Sequence, residues 1–190
     1  MHSFENDIAE CCSVLASGGL ILYPTDTIWG IGCDATNADA VKKIYQLKKR
    51  EEKKSMIILV ADEKEIFNYI ESPDKKISGY LSSVKKPTTV IYEHAKNLAS
   101  NLISEDVTIA IRIVNDEFCK SLITQFKKPI VSTSANISGE PFPKNFNEID
   151  MKIKKGVDYI VQHRQNDLMS SQPSSIIKLN NKGEIEILRS

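Results

Sequence analysis

The stretch that decides the fold is "ILYPTDTIWGIGCDA", Ile21 to Ala35. With Leu20 it opens as a buried strand, "LILY" over 20–23, then breaks into Pro24-Thr25-Asp26-Thr27. Pro24 stops the strand because it has no N–H to give to a ladder. Two hydroxyls and a carboxylate then crowd the strand's mouth before the apolar return of "WGIG" (29–32). Such a lip can satisfy its own backbone as a turn, or it can hold a ligand. In extended chain Thr25 and Thr27 share one face, and Asp26 points away, free to act as a cap.

The same chemistry recurs at two more strand ends. "PIVST" (129–133) reads as a short strand that runs into "SANISG" (134–139). There Ser132, Ser134 and Asn136 alternate and point one way if extended. Near the end of the chain, "PSSIIKL" (173–179) puts Ser174 and Ser175 just before an apolar run. Turn and ligand readings are both open at each place. Arg112 adds a charge inside "IAIRIV" (109–114), a stretch that should be half buried. A buried guanidinium needs an anionic partner, either an internal carboxylate or one on a substrate.

A local basic cluster lies between Lys42 and Lys54: Lys42, Lys43, Lys48, Lys49, Arg50, Lys53 and Lys54 stand against Glu51 and Glu52. A solvated helix end accounts for it, since cations favour helix C-termini. An anion site accounts for it as well. Lys48, Arg50 and Lys54 flank the entry to "MIILVA" (56–61), and ligand crevices of α/β proteins lie at strand ends. Arg offers a planar fork and Lys a movable point charge, and a polyphosphate uses both.

The remaining elements follow from periodicity. Ile8, Cys11, Cys12 and Leu15 predict a helix ended by Gly18-Gly19, and Val41, Ile44, Tyr45 and Leu47 a second one started by Asn37 or Asp39. "MIILVA" is an apolar run of the kind buried on both faces. Helices are expected near 62–70, 74–83, 116–126 and 145–154, and strands at 88–92, 107–114, 158–161, 174–179 and 184–188. Strands and helices do not alternate strictly. This predicts a mixed sheet with packed helices, in one domain over residues 1–190.

The chain has 190 residues, 41% hydrophobic and 26% charged, with 25 acidic and 25 basic residues. No overall charge draws it to nucleic acid or membrane, so a basic site must be local. Cys11, Cys12, Cys33 and Cys119 form no C-x-x-C pair and no zinc spacing, as in a reduced cytoplasmic protein with small buried thiols. The charged N-terminus has no signal-peptide core, and the apolar runs are too short for a membrane span. No Walker loop, nucleophile elbow or H-E-x-x-H helix occurs. His2, His94 and His163 sit in no constellation and read as surface or structural residues.

Taken together, these motifs resemble the YrdC-like family, the threonylcarbamoyl-AMP synthases, from about residue 8 to Arg189. "YPTDTIWGIGCDA" is similar to the family's YPTDTVYGLGCDA, with Trp29 in place of the usual Tyr. "KKREEKKSM" keeps the family's K-x-R and following Lys as Lys48, Arg50 and Lys54, with Ser55 where the family has Pro. "IAIRIV", "STSANISGEP", "PSSII" and "ILRS" match further family motifs in the right order. "VKKPTT" (84–89) keeps only Pro87 and Thr89 of the usual W-P-G-P-L-T.

The resemblance implies a twisted, mostly open α/β sheet around a deep, concave basic cavity. It implies a reaction joining L-threonine, bicarbonate and ATP into threonylcarbamoyl-adenylate and pyrophosphate, with Mg²⁺ accompanying ATP. A separate transferase would then deliver the product to tRNA. Lys48, Arg50, Ser134 and Asn136 would be catalytic. Thr27, Arg112, Ser132 and Ser174 or Ser175 would bind substrate. Lys54, Thr108 and Arg189 would join Lys48, Arg50, Ser134 and Asn136 on the nucleotide. Two other readings fit the same pattern: an RNA-binding YrdC-like module, and an adenylate-forming relative with another amine acceptor.

Overall fold

The computed structural model describes residues 4–51, 56–168, 172–180 and 183–190. The chain runs α1 (Glu5–Ala16), β1 (Ile21–Tyr23), β2 (Gly30–Gly32), α2 (Ala38–Lys48), β3 (Ile57–Val60), α3 (Lys75–Ser83), β4 (Thr88–Tyr92), β5 (Ile109–Ile113) and α4 (Glu117–Phe126). It continues through β6 (Ile130–Ser134), α5 (Met151–Lys155), β7 (Tyr159–Ile160), β8 (Ser175–Leu179) and β9 (Ile185–Arg189). The segments expected to be helical at 62–70 and 145–154 contain 3-10 turns over Glu63–Asn68 and Phe146–Glu148, the latter followed by α5.

The strands form one mixed sheet in the order β7-β1-β2-β6-β3-β5-β4-β8-β9. β3 lies at its centre, parallel to β5 and antiparallel to β6. That position explains its unbroken apolar sequence: Ile58 and Val60 enter the core on one face, and Leu59 enters the core on the other. Helices α1 and α4 cover the Leu59 face through Ile8, Cys11, Leu15, Phe118, Leu122 and Ile123. Helix α2 covers the opposite face through Ala40, Val41, Ile44 and Tyr45.

The strand β2 has no counterpart among the expected elements, because Gly30-Ile31-Gly32 carries a single strand-forming side chain. Its glycines are there for space. A Cβ on Gly32 would stand 2.7 Å from the Tyr23 ring and 2.9 Å from the Val131 carbonyl oxygen. With no side chain at Gly32, β2 fits between β1 and β6 while the Tyr23 ring lies across it.

Two local devices aim the site. Asn37 caps α2 by accepting from the Asp39 and Ala40 N–H groups at 3.0 and 3.1 Å. At the other end Lys49 adopts the left-handed conformation, φ 49°, and the Arg50 N–H donates back to the Tyr45 carbonyl at 2.9 Å. The chain therefore turns sharply between Lys48 and Arg50. On the α1 side, buried Asp7 accepts from the Tyr159 hydroxyl at 2.6 Å and from the N–H groups of Gln162 and His163, each at 2.9 Å. This ties the first helix to β7 and the residues just after it.

Candidate functional site

The lip after β1 is a bend and not extended chain. The Thr27 N–H donates to Thr25 Oγ1 at 3.1 Å, and the Thr25 hydroxyl donates to the Ile28 carbonyl at 2.8 Å. The two threonine hydroxyls lie 2.9 Å apart, so they do share a side. Asp26 departs from the expectation. It does not point away but turns inward, where its carboxylate lies 3.0 Å from Arg112 Nη2. The bend, which an alternating pattern cannot reveal, is the reason.

The three hydroxyl-bearing strand ends converge. Thr27, Ser132, Ser134 and Ser174 line one cavity of about 250 Å³, together with Arg50, Arg112 and Arg189. Among the described residues, no acidic one lines it. The topology accounts for the convergence. Gly30 pairs with Ser134, and Ile57 at the start of β3 pairs with Ser132. On the far side, Thr89 pairs with both Arg112 and Ile176. Gly30 also leaves room, since a Cβ there would stand 3.1 Å from Ser132 Oγ.

The guanidiniums are held in an uneven field. Arg112 is 3% exposed, and its Nε and Nη2 have no hydrogen-bond partner among the described residues. Its close approach to Asp26 is thus an ion pair without hydrogen-bond alignment. Arg189 donates through Nε and Nη2 to the Ser174 carbonyl at 3.0 and 2.8 Å. Its pKa is lowered by burial and by the charge of Arg112. Burial also lowers the pKa of Arg50. Each of these groups would be relieved by an anion in the cavity. Ser174 is fixed by Thr89, whose hydroxyl lies 2.8 Å from its own.

Several expected residues lie elsewhere. Lys48 does not line the cavity: it is 1% exposed, and its ammonium bonds the carbonyls of Ser134 and Asn136. Asn136 does not line it either, and its amide donates to the carbonyls of Ile137 and Glu140 at 3.1 and 2.6 Å. Thr108 lies apart from the residues that line this cavity. It stands before β5, about 13 Å of strand away from Arg112, bonds Ser104 Oγ at 2.7 Å and faces a separate cavity. Of the paired serines, Ser174 lines the site, while Ser175 pairs with Thr88 in the sheet. Lys54 lies outside the described residues.

The sequence reasoning missed Phe142, which also lines the cavity and is 37% exposed. A lone aromatic inside the Gly- and Pro-rich loop was the available signal. The thiols take no part. Burial raises the pKa of Cys11, Cys33 and Cys119. His163 packs against Phe4 and Phe118, with ring centroids 4.9 and 5.7 Å away, a structural role. Among the described residues, no helix is long and apolar enough to cross a membrane.

Known proteins share the fold. The threonylcarbamoyl-AMP synthase of Pseudoalteromonas translucida is 32% identical over 177 residues, covering 92% of this chain and 94% of the relative. P. abyssi Sua5 complexed with L-threonine superposes with a TM-score of 0.85 at 22% identity, over 97% of this chain and 54% of that one. E. coli YciO superposes with a TM-score of 0.83 at 20% identity, over 97% of this chain and 89% of that one. The family model for Sua5, YciO and YrdC, described as "Telomere recombination", matches residues 13–190. The chain therefore belongs to the Sua5/YciO/YrdC family.

Proposed function

We propose that this protein is an L-threonylcarbamoyladenylate synthase. It joins L-threonine, bicarbonate and ATP and releases threonylcarbamoyl-AMP, pyrophosphate and water. The product then serves a transferase that modifies tRNA. The observation that carries this reading is the convergence of Arg50, Arg112 and Arg189 with five hydroxyl-bearing residues, Thr27, Ser132, Thr133, Ser134 and Ser174, on one cavity that no carboxylate lines among the described residues. The names carried by the curated relatives support the same activity.

The chemistry asks for no protein nucleophile. The threonine amine attacks the bicarbonate carbon, water leaves, and an oxygen of the resulting carbamate attacks the α-phosphorus as pyrophosphate departs. Holding the reactants aligned is worth up to ~7–11 kcal/mol. Fixed positive charge on the phosphates adds to this. Arg50 binds the phosphates together with Ser134, and Arg189 faces the nucleotide from the β9 side. Arg112 clamps the threonine carboxylate through Nε and Nη2, which have no hydrogen-bond partner among the described residues although Nη2 lies against Asp26, with Thr27, Ser132 and Ser174 around the amino acid. The cavity is slightly below the usual ~300–1,000 Å³ of ligand clefts. It takes the reacting ends, and the adenosine extends toward Phe142 at its margin.

Among the described residues, no group of three His, Cys, Asp or Glu side chains is placed to hold a metal ion. Asp26, next to the cavity, is engaged by Arg112. These residues do not fit a resident metal, so Mg²⁺ is proposed to arrive on the ATP phosphates. The test is incubation with ATP, bicarbonate and a panel of amino acids, reading pyrophosphate. Release that depends on both threonine and bicarbonate supports the proposal. Release with another amine acceptor in preference to threonine, or no release at all, overturns it.

A further inference from the structure

Lys48 and Asn136 are polar, sit beside the cavity and do not line it. Their bonds run to the loop after β6. The Lys48 ammonium donates to the main-chain carbonyl of Ser134, donates to that of Asn136 at 2.6 Å and reaches Asn136 Oδ1 at 3.4 Å. In the other direction, the Ser138 N–H donates to the Lys48 carbonyl at 2.8 Å. The Asn136 amide nitrogen closes the loop on itself through Ile137 and Glu140. The Lys48 ammonium and the Asn136 amide nitrogen are thus committed to main-chain carbonyls, and the Asn136 amide oxygen to the ammonium, while Arg50, two residues after Lys48, and Ser134, two residues before Asn136, line the cavity.

We propose, resting on the function proposed above, that Lys48 and Asn136 are positioning residues. Their hydrogen bonds latch the 134–140 loop onto the end of α2, hold Arg50 and Ser134 on the wall of one cavity, and leave neither latch residue on the triphosphate. The groups facing the ammonium are the loop's carbonyls and amide oxygen and, from its own helix end, Arg50. Burial, and then the like charge of Arg50, lower its pKa from 10.5 to about 7. The latch is therefore poised to change charge near neutrality.

A reporter is built in. Trp29 is the chain's single tryptophan. Its carbonyl accepts the Ala135 N–H at 3.0 Å, and its ring lies 4.9 Å from that of Phe146. In ligand-free protein, the wild-type emission should shift with a midpoint near neutral pH. Lys48→Met should remove that transition and hold the high-pH spectrum throughout, with unchanged far-UV circular dichroism. Asn136→Ala should move the spectrum the same way. His163 is present in every variant and cancels in the comparison. A wild-type profile flat around neutrality overturns the latch even if no variant folds, and so does a transition that survives in Lys48→Met.

Nucleotide binding provides the second arm. Lys48→Met should weaken ATP roughly tenfold by displacing Arg50, and the same substitution in an Arg50→Ala background should cost less than about twofold. An undiminished loss in that background would put Lys48 itself on the phosphates and overturn its positioning role. Failure of ATP to bind the wild type would refute the proposed function instead, and the ligand-free fluorescence would still decide the latch.

Discussion

Two cavities open at opposite ends of β4, β5 and β8, and the larger is not the candidate site. It measures about 1170 Å³ and is lined by Thr108, Tyr92, Lys178 and the carboxylates of Asp74, Glu93, Asp106 and Glu186. Those carboxylates are exposed, and Glu186 pairs with Lys178 at 3.3 Å. The smaller cavity holds about 250 Å³ but gathers three guanidiniums, one of them almost wholly buried. Exposed charges are solvated and make little demand on a ligand. A buried cation whose donors, like Nε and Nη2 of Arg112, have no hydrogen-bond partner among the described residues does make that demand. Electrostatic need, more than volume, distinguishes the two ends.

The sharpest way to break this contrast is Arg50→Ala. Threonine- and bicarbonate-dependent pyrophosphate release should fall by about a hundredfold or more, with circular dichroism unchanged. Full activity would remove the phosphate role from the smaller cavity. Next comes Arg112→Ala, which strips the proposed carboxylate clamp and also strands buried Asp26. The threonine KM should rise roughly tenfold to a hundredfold, and urea unfolding should show a loss of about 3–5 kcal/mol.

The third expected effect is conformational. Gly32→Ala drives a methyl group against Tyr23 and the Val131 carbonyl, and should destabilise by about 1–3 kcal/mol in urea melts.

The fourth concerns pH. Below about 7 the Lys48 ammonium is protonated in both folded and unfolded chains, and the fold bears the whole burden of burying it. As pH rises from about 7 toward 10.5, the folded chain alone sheds the proton, so this group makes stability rise with pH. Melts of Lys48→Met across that window should lack this contribution. Last, Thr108→Val alters only the larger cavity and should change pyrophosphate release less than about twofold; a large loss would erase the distinction between the two ends.

Much of the fold was legible because the relevant signals are local. The parity of Ile58, Leu59 and Val60, the Asn37 cap and the Gly18-Gly19 stop are each read within a few residues. β2 was not legible, since its glycines make sense only once the Tyr23 ring lies across them. For the site, residue types were readable but directions were not. Hydroxyls at three strand ends announced a cluster. Whether Asp26 faced in or out depended on a bend held by Thr25, and whether Lys48 or Arg50 met the cavity depended on the backbone between them. Thr108 and Arg112 share a strand region and look equivalent in sequence, yet strand length alone assigns them to different cavities.

That backbone has a consequence for the K-x-R pattern itself. The middle residue, Lys49, is the pivot that lets two cations, so close in sequence, look in different directions. Its side chain is incidental and its torsion angles are what matter. Glycine or asparagine should serve at that position, whereas valine should swing the second cation off target without deleting any charge the motif counts.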